Sequence, residues 1–405
     1  MTSNQFNPKE ALFFASCPRG TEELLKEEAT ELGLSPIVKT GGVGFKTDVK
    51  KAIKFIFHSR LASRVFMEVG YFFIKKEDDI YHEAKKIGWS DYMTTNDTFK
   101  INTLFDRDTK KRFHNSIYLS QKLKDALVDH QRDHFGKRSN VETTKPTHSF
   151  LQRIETKGKS SKVMVYLDLC GMPLDKRGYR DSSVHQAPLR ENLAAALLKS
   201  ADYTKKDKFF DPMSGSGTLL VEAVMIAADI APSFIQLKNV KKPYNFTRHK
   251  WFRDLDLMDW YMKEVEKIVA NSRSKIEKLK EGKFFCNDIE NDNIKLIKKH
   301  LRKCFGRIDF VTFFNEDFLK MAAYPKANFI VMNPPYGKRL GQSENIKSLY
   351  HNIGETLKNQ CQNSRAFIFT IKDDLHKEIR LKTSRKTPFF NGDLECRLFE
   401  YQIES

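Results

Sequence analysis

Five short apolar runs in the second half of the chain, KFFDPM, KFFCNDI, IDFVTFF, NFIVMNPP and RAFIFTI, most constrain its fold. Each is apolar at consecutive positions and too brief for a helix, so it reads as a strand buried on both faces. Amphipathic stretches of helical period, such as RENLAAALLKSA and GTLLVEAVMIAADI, separate them. Such alternation predicts a parallel sheet covered by helices on both sides, the α/β class. The closing segment TPFFNGDLECRLFEYQI carries Asn391-Gly392 between apolar runs, which predicts a type I′ hairpin. The sheet is therefore expected to be mixed, with an antiparallel hairpin at its edge.

The first half has a different rhythm, that of an α+β unit. ALFFASC, VFMEVGYFFI, FKINTLF, SFLQRIET and KVMVYLDLC read as strands. GTEELLKEEATELGL, KKAIKFIFHSRLASRV and FHNSIYLSQKLKDALVDHQRDHF read as helices. His130 and His134 stand four apart on the last of these, with no HExxH glutamate and no third ligand nearby. A solvated polar face is expected there, not a metal site. CGMPLDKRGYRDSSVHQAPLR has glycine, two prolines and a basic cluster, and reads as a linker. Beyond it, the aromatic and lysine-rich insertion beginning APSFIQLKNVKKPYNF is expected to loop out of the sheet unit.

Composition narrows the partner. Lys+Arg number 70 against 52 Asp+Glu, a formal charge of +18, which suits a polyanion. Nucleic acid is preferred to membrane, since no basic amphipathic anchor stands out. No segment approaches the ~20 apolar residues of a span, and the N-terminus lacks a signal-peptide layout. The six cysteines lie far apart without a CxxC, so neither a disulfide framework nor zinc is indicated. A cytoplasmic protein is the expectation.

The chemistry gathers at the ends of the apolar strands. In KFFDPMSGSGTLL, Gly215 and Gly217 allow a tight turn into a helix N-terminus. Leu220 stands where the dinucleotide fingerprint has its third glycine, and no Lys-Ser/Thr follows for a phosphate loop. Asp211 before the turn would face a cation, which favours S-adenosyl-L-methionine with its ammonium over a pyrophosphate. Asp288, after the next strand, is placed to accept ribose hydroxyls, and Asp317 to meet the adenine amine. Met213 and Ile289 join this cofactor set. Asn333, Pro334, Pro335 and Tyr336 then end the fourth strand with NPPY. An exocyclic nucleobase amine is a poor nucleophile, because its lone pair is delocalised into the ring. The Asn333 side chain and the rigid Pro334 carbonyl would accept its two hydrogens and aim the lone pair at a methyl donor. Tyr336 would stack on the flipped base. Lys176, Arg177, Tyr179 and Arg180 in the linker, with Lys338 and Arg339 beyond NPPY, are the candidate RNA contacts.

PLDKRGYR with APLRENLAAALL, DPMSGSGTLLVEA, NPPYGKRL and NGDLECRLFEY together resemble the bacterial THUMP-domain methyltransferases that make N2-methylguanosine in 23S ribosomal RNA. Asp175 departs from a histidine common in that junction, and Ser214 from a frequent cysteine. The resemblance implies a ferredoxin-like piece over 1–60, a THUMP RNA-binding domain over 61–170, a linker over 171–187 and a Rossmann-like methyltransferase over 188–405. It also implies 23S ribosomal RNA, or a large-subunit precursor, as partner. Transfer RNA guanine N2 and adenine N6 stay open as alternatives, because NPPY serves any exocyclic amine. A non-catalytic RNA-binding assembly factor is the alternative of another class.

Overall fold

The computed structural model describes residues 6–180, 189–240, 242–336, 343–372 and 374–404. Two sheets organise the chain. The first has eight strands in the order β2-β3-β1-β4-β8-β7-β5-β6. These are β1 (Ala11–Ser16), β2 (Ile37–Lys39), β3 (Gly42–Thr47), β4 (Arg64–Ile74), β5 (Thr98–Phe105), β6 (Asn140–Val141), β7 (His148–Lys157) and β8 (Ser160–Asp168). β4 holds it together, pairing with β1 through Phe13↔Met67 and with β8 through Met67↔Leu167. The boundary expected at residue 60 thus falls before a strand that both N-terminal units share.

Burial follows the strand period. Val65, Met67, Val163, Val165 and Leu167 join one core with the helices Val49–His58 and Ser116–Phe135. Phe66, Met164 and Tyr166 form a separate small cluster on the opposite face. Two sequence expectations are corrected here. The second helix stops at His58 instead of continuing to Val65, because Arg64 and Val65 are needed in β4. His130 is buried rather than solvated, with Nδ1 3.0 Å from the Lys85 carbonyl and its ring stacked on His134. No metal-ligating cluster occurs among the described residues.

The second sheet is mixed, as expected. Its order is β11-β10-β9-β12-β13-β15-β14. The strands are β9 (Phe209–Asp211), β10 (Phe284–Asn287), β11 (Val311–Phe314), β12 (Phe329–Met332), β13 (Ser364–Ile371), β14 (Thr383–Asn391) and β15 (Leu394–Ile403). β9 to β13 are parallel and the closing hairpin is antiparallel. The order reverses between β9 and β12, which opens a crevice at their carboxyl ends. The hairpin turn sits one residue later than expected. Asn391 pairs with Leu394, and Gly392 at φ +63° is the turn's one positive-φ residue, the pattern of type II′, not I′.

The insertion leaves the sheet unit as expected, adding no strand between β9 and β10, and packs against the N-terminal half. Phe57 of the N-terminal half lies 5.8 Å from the Tyr244 ring, 6.4 Å from Phe246 and 6.0 Å from Tyr261. The Phe246 amide donates to the Leu169 carbonyl at 3.0 Å, and His249 stacks on His148 at 4.6 Å. Its aromatics are the packing between the two halves. The segment before residue 181 is no loose linker. Arg177, 1% exposed, places Nε 3.1 Å from the Glu222 carboxylate and donates to the carbonyls of Leu174 and Arg60. Arg60 in turn donates to the carbonyls of Met225 and Ile230. Removing Arg177 leaves a buried carboxylate uncompensated, at a cost of about 3–5 kcal/mol. Arg177→Ala should therefore lower the urea midpoint clearly and unfold both halves together. An unchanged midpoint would show that the pair does not join them.

Candidate active site

Three strand ends converge at the reversal point. Cys286 pairs with Asp211 across β10 and β9, so Asp288 lies two residues beyond the Asp211 level. Ile330 pairs with Phe210 across β12 and β9, which brings Asn333 to the same rim from the other side. The turn after β9 enters the helix Thr218–Ala227 through Gly215 at φ +53° and Gly217 at φ +78°. A side chain at Gly217 would press within 2.9 Å of Ile297, whereas nothing lies within 4 Å of a Cβ built at Gly215. Gly217 is required by packing and backbone, and Gly215 leaves a cradle open above the turn.

The acids are held differently. Asp211 is buried, with Oδ1 accepting from the Met213 amide at 3.3 Å and Oδ2 holding no partner among the described residues. Burial, with Asp288 nearby, pushes its carboxyl well above the usual carboxylate range. An orphaned buried carboxylate oxygen is costly unless something else meets it. Asp288 accepts from the amides of Gly215 at 2.7 Å and Glu290 at 3.0 Å, and from Asn293 Nδ2 at 3.0 Å. It thereby ties the glycine turn to the next strand end, and its oxygens keep lone pairs for a hydroxyl. Asp317 accepts from the Leu319 amide at 3.0 Å and caps a short turn. Met213 is half-buried in the turn, and Ile289 is 63% exposed beside Asp288.

Asn287 was not singled out from the sequence. Fully buried, it donates from Nδ2 to the carbonyls of Pro212 and Glu316, both at 3.0 Å, and accepts the Glu316 amide at 3.1 Å. One side chain thus sets the spacing of the three loops that carry Asp211, Asp288 and Asp317. Its only sequence signal was an amide among apolar strand residues, which is too common to read.

NPPY lies on the crevice. Asn333 Oδ1 is buried without a hydrogen-bond partner among the described residues. Pro334 is buried, Pro335 is half-buried, and Tyr336 is 8% exposed. Asn391 Nδ2 donates to the Tyr336 hydroxyl at 3.1 Å, so the C-terminal hairpin holds the motif from outside. Lys338 and Arg339 lie outside the described residues. The linker set is mostly corrected. Arg177 and Tyr179 are buried and have no face for RNA. Arg180 bonds the Leu189 carbonyl at 2.8 Å and the Thr218 hydroxyl, and pairs with Glu191 at 3.4 Å, so it braces the start of the cofactor-side helix. Lys176 is exposed.

Fold and crevice define a Rossmann-like methyltransferase domain preceded by an α+β module built on an eight-stranded sheet. Residues 177–400 match the RMKL-like methyltransferase domain, 12–66 the RlmL ferredoxin-like domain and 75–168 the THUMP domain. The chain belongs to the family of THUMP-containing, RMKL-like methyltransferases. It is 32% identical to "Ribosomal RNA large subunit methyltransferase K/L" of Allochromatium vinosum, over 97% of this chain and 52% of that protein. It spans about half the length of such relatives. It is 31% identical to "Putative RNA methyltransferase slr0064" of Synechocystis sp., over 96% of each. Among solved structures, a possible methylase from Clostridium difficile 630 superposes with a TM-score of 0.81 at 25% identity, covering 98% of this chain and 99% of that one.

S-adenosylmethionine is the cofactor of this class of domain, and the residues present fit it. The unpartnered Asp211 oxygen suits an ammonium, and the open cradle at Gly215 lets a ligand reach the backbone. A test follows from the raised carboxyl. Burial biases free Asp211 toward the protonated carboxyl, while a bound ammonium favours the carboxylate. Binding should release that proton and tighten as pH rises, until the free carboxyl ionises too. Calorimetry in buffers of different ionisation enthalpy reads the release. Asp211→Asn should abolish it and weaken binding roughly tenfold or more. No release from the native protein would remove Asp211 from this role.

Proposed function

We propose that this chain methylates the N2 amine of a guanine in large-subunit (23S) ribosomal RNA, with S-adenosylmethionine as donor. The observation that carries the reading is the buried Asn333 carbonyl, without a partner among the described residues, at the strand end beside the glycine turn. An acceptor in that position needs a donor, and a guanine amine brings two hydrogens. Asn333 Oδ1 takes one and the Pro334 carbonyl the other, which turns the nitrogen lone pair away from the ring. Asp211 and Asp288 hold the donor molecule by its ammonium and ribose, Asp317 by its adenine amine, and Ile289 and Met213 by apolar contact. When bound, the donor would supply a methyl group from its sulfonium, the carbon–sulfur bond breaking as the nitrogen–carbon bond forms and the sulfur leaving as a neutral thioether.

The two carbonyls also stabilise the positive charge that grows on the nitrogen during transfer. The spent proton then leaves the cationic amine to solvent. Tyr336 supplies a stacking face at the pocket wall, set by its bond to Asn391. The sequence relatives support ribosomal RNA as substrate, and a cytoplasmic site of action follows from that substrate. Intact acids, glycines and NPPY favour this enzyme over a non-catalytic assembly factor.

Asn333→Ala separates chemistry from cofactor binding. Methyl transfer should fall by roughly 10²–10³-fold, as for loss of one preorganised polar group. Affinity for S-adenosylmethionine should stay within about twofold, since Asn333 lies on the base side of the crevice. Parallel loss of cofactor affinity and activity would contradict the assigned role.

A further inference from the structure

With Arg177 buried and Arg180 tied to the methyltransferase helix, the linker leaves few cations for RNA. The first sheet offers others. Lys100, Asn102 and Leu104 alternate along β5 onto a cleft of about 590 Å³, bordered also by Arg64, Asp168 and Ile117. That volume is in the range of small-molecule sites. Leu104 is 56% and Ile117 71% exposed, two large aliphatic side chains standing in water beside two cations. A folding core does not require that arrangement.

The charges are arranged for an anion. Arg64 uses one nitrogen, Nη1, for Asp168 and for the Gly171 carbonyl at 2.9 Å. Its Nε and Nη2 hold no partner among the described residues, and its side chain is 30% exposed. Lys100 has no ion-pair partner among them either. The one acid, Asp168, is spent on Arg64 and on the amides of Cys170 and Gly171. Ser116 and Ile117 belong to the first turn of the helix Ser116–Phe135, whose N-terminus adds partial positive charge. β6 covers the β5 edge only at Thr98 and Phe99.

Position ties the cleft to the chemistry. Arg64 pairs with Ser16 in the β1–β4 register. Three residues past Ser16, Arg19 lies 4.1 Å over the Phe390 ring, next to the Asn391 that holds Tyr336. Arg64, on the cleft's border, thus shares an end of the first sheet with the segment that reaches the C-terminal hairpin.

We propose that this cleft seats an unpaired stretch of the RNA substrate. The Arg64 fork and Lys100 take backbone phosphates, and Leu104 and Ile117 pack against a base or ribose. The assignment rests on the RNA reading above and names the surface that does the holding. A free guanidinium fork beside an unpaired ammonium matches phosphate, which favours RNA over an acidic protein.

The test is fluorescence anisotropy of the full chain with a labelled, unstructured oligoribonucleotide of about 12 nucleotides across a salt series. Lys100→Ala should weaken binding roughly three- to tenfold and reduce the log–log salt slope by about 0.7, one phosphate's share. Ile117→Asp, at an exposed position, should weaken it by a similar factor. Thermal melting and S-adenosylmethionine affinity should not move in either variant. Unchanged RNA affinity and slope in both variants, alongside methyl transfer by the native protein, would overturn the cleft and leave the proposed function standing. A native protein that neither binds nor methylates RNA would overturn both. Loss of binding to an acidic peptide of matched charge, with RNA binding intact, would also overturn the cleft.

Discussion

A guanidinium and a carboxylate, both almost fully removed from water, meet where the two halves of the molecule join. Burying the Arg177–Glu222 pair is expensive, and only the further bonds from Arg177 to Leu174 and Arg60 make it tolerable. Those bonds are what give the pair its reach. Glu222 belongs to the helix that leaves the glycine turn, Arg60 to the N-terminal half, and Arg177 to the segment between. Arg60 returns to the far end of the same helix through Met225 and Ile230. The N-terminal half is therefore tied directly to the helix that frames the cofactor turn. The aromatic insertion packs around this joint and keeps water from it, with Tyr244 and Phe246 against Phe57.

The active site depends on that framing because it is built from strand ends, not from one rigid element. Asp211, Asp288 and Asn333 come from three neighbouring strands, and their spacing is set by the sheet and by Asn287 bridging the loops. Two buried oxygens, on Asp211 and on Asn333, lie on either side of the reversal point without partners among the described residues. Each costs stability unless a ligand meets it, and strain of this kind is expected where binding energy is later recovered. The pair divides the crevice by chemistry: an anion for a cationic cofactor, a neutral carbonyl for an amine.

Much of this was legible in the sequence, and the failures have physical causes. The five apolar runs yielded the parallel sheet because strands buried on both faces have no polar alternative. DPMSGSGTLL and NPPY were readable as turns at strand ends because backbone geometry restricts which residues can stand there. Arg177 and Tyr179 were misread because a cluster of cations looks the same whether it faces phosphate or a buried carboxylate 45 residues away. The role of the insertion was not legible, since aromatics covering a domain joint lack the period of a helix or strand. The hairpin was found, but its turn was displaced to Gly392-Asp393, because register is settled by β15 packing and not by the turn pair alone.

The most direct trial of the account is nucleoside mass spectrometry. Purified protein and isotopically labelled S-adenosylmethionine would be incubated with 23S ribosomal RNA from cells lacking the enzyme. The RNA would then be digested to nucleosides. Labelled N2-methylguanosine, as the single new product, is the result predicted. Label found in N6-methyladenosine, or in transfer RNA alone under the same conditions, would contradict it.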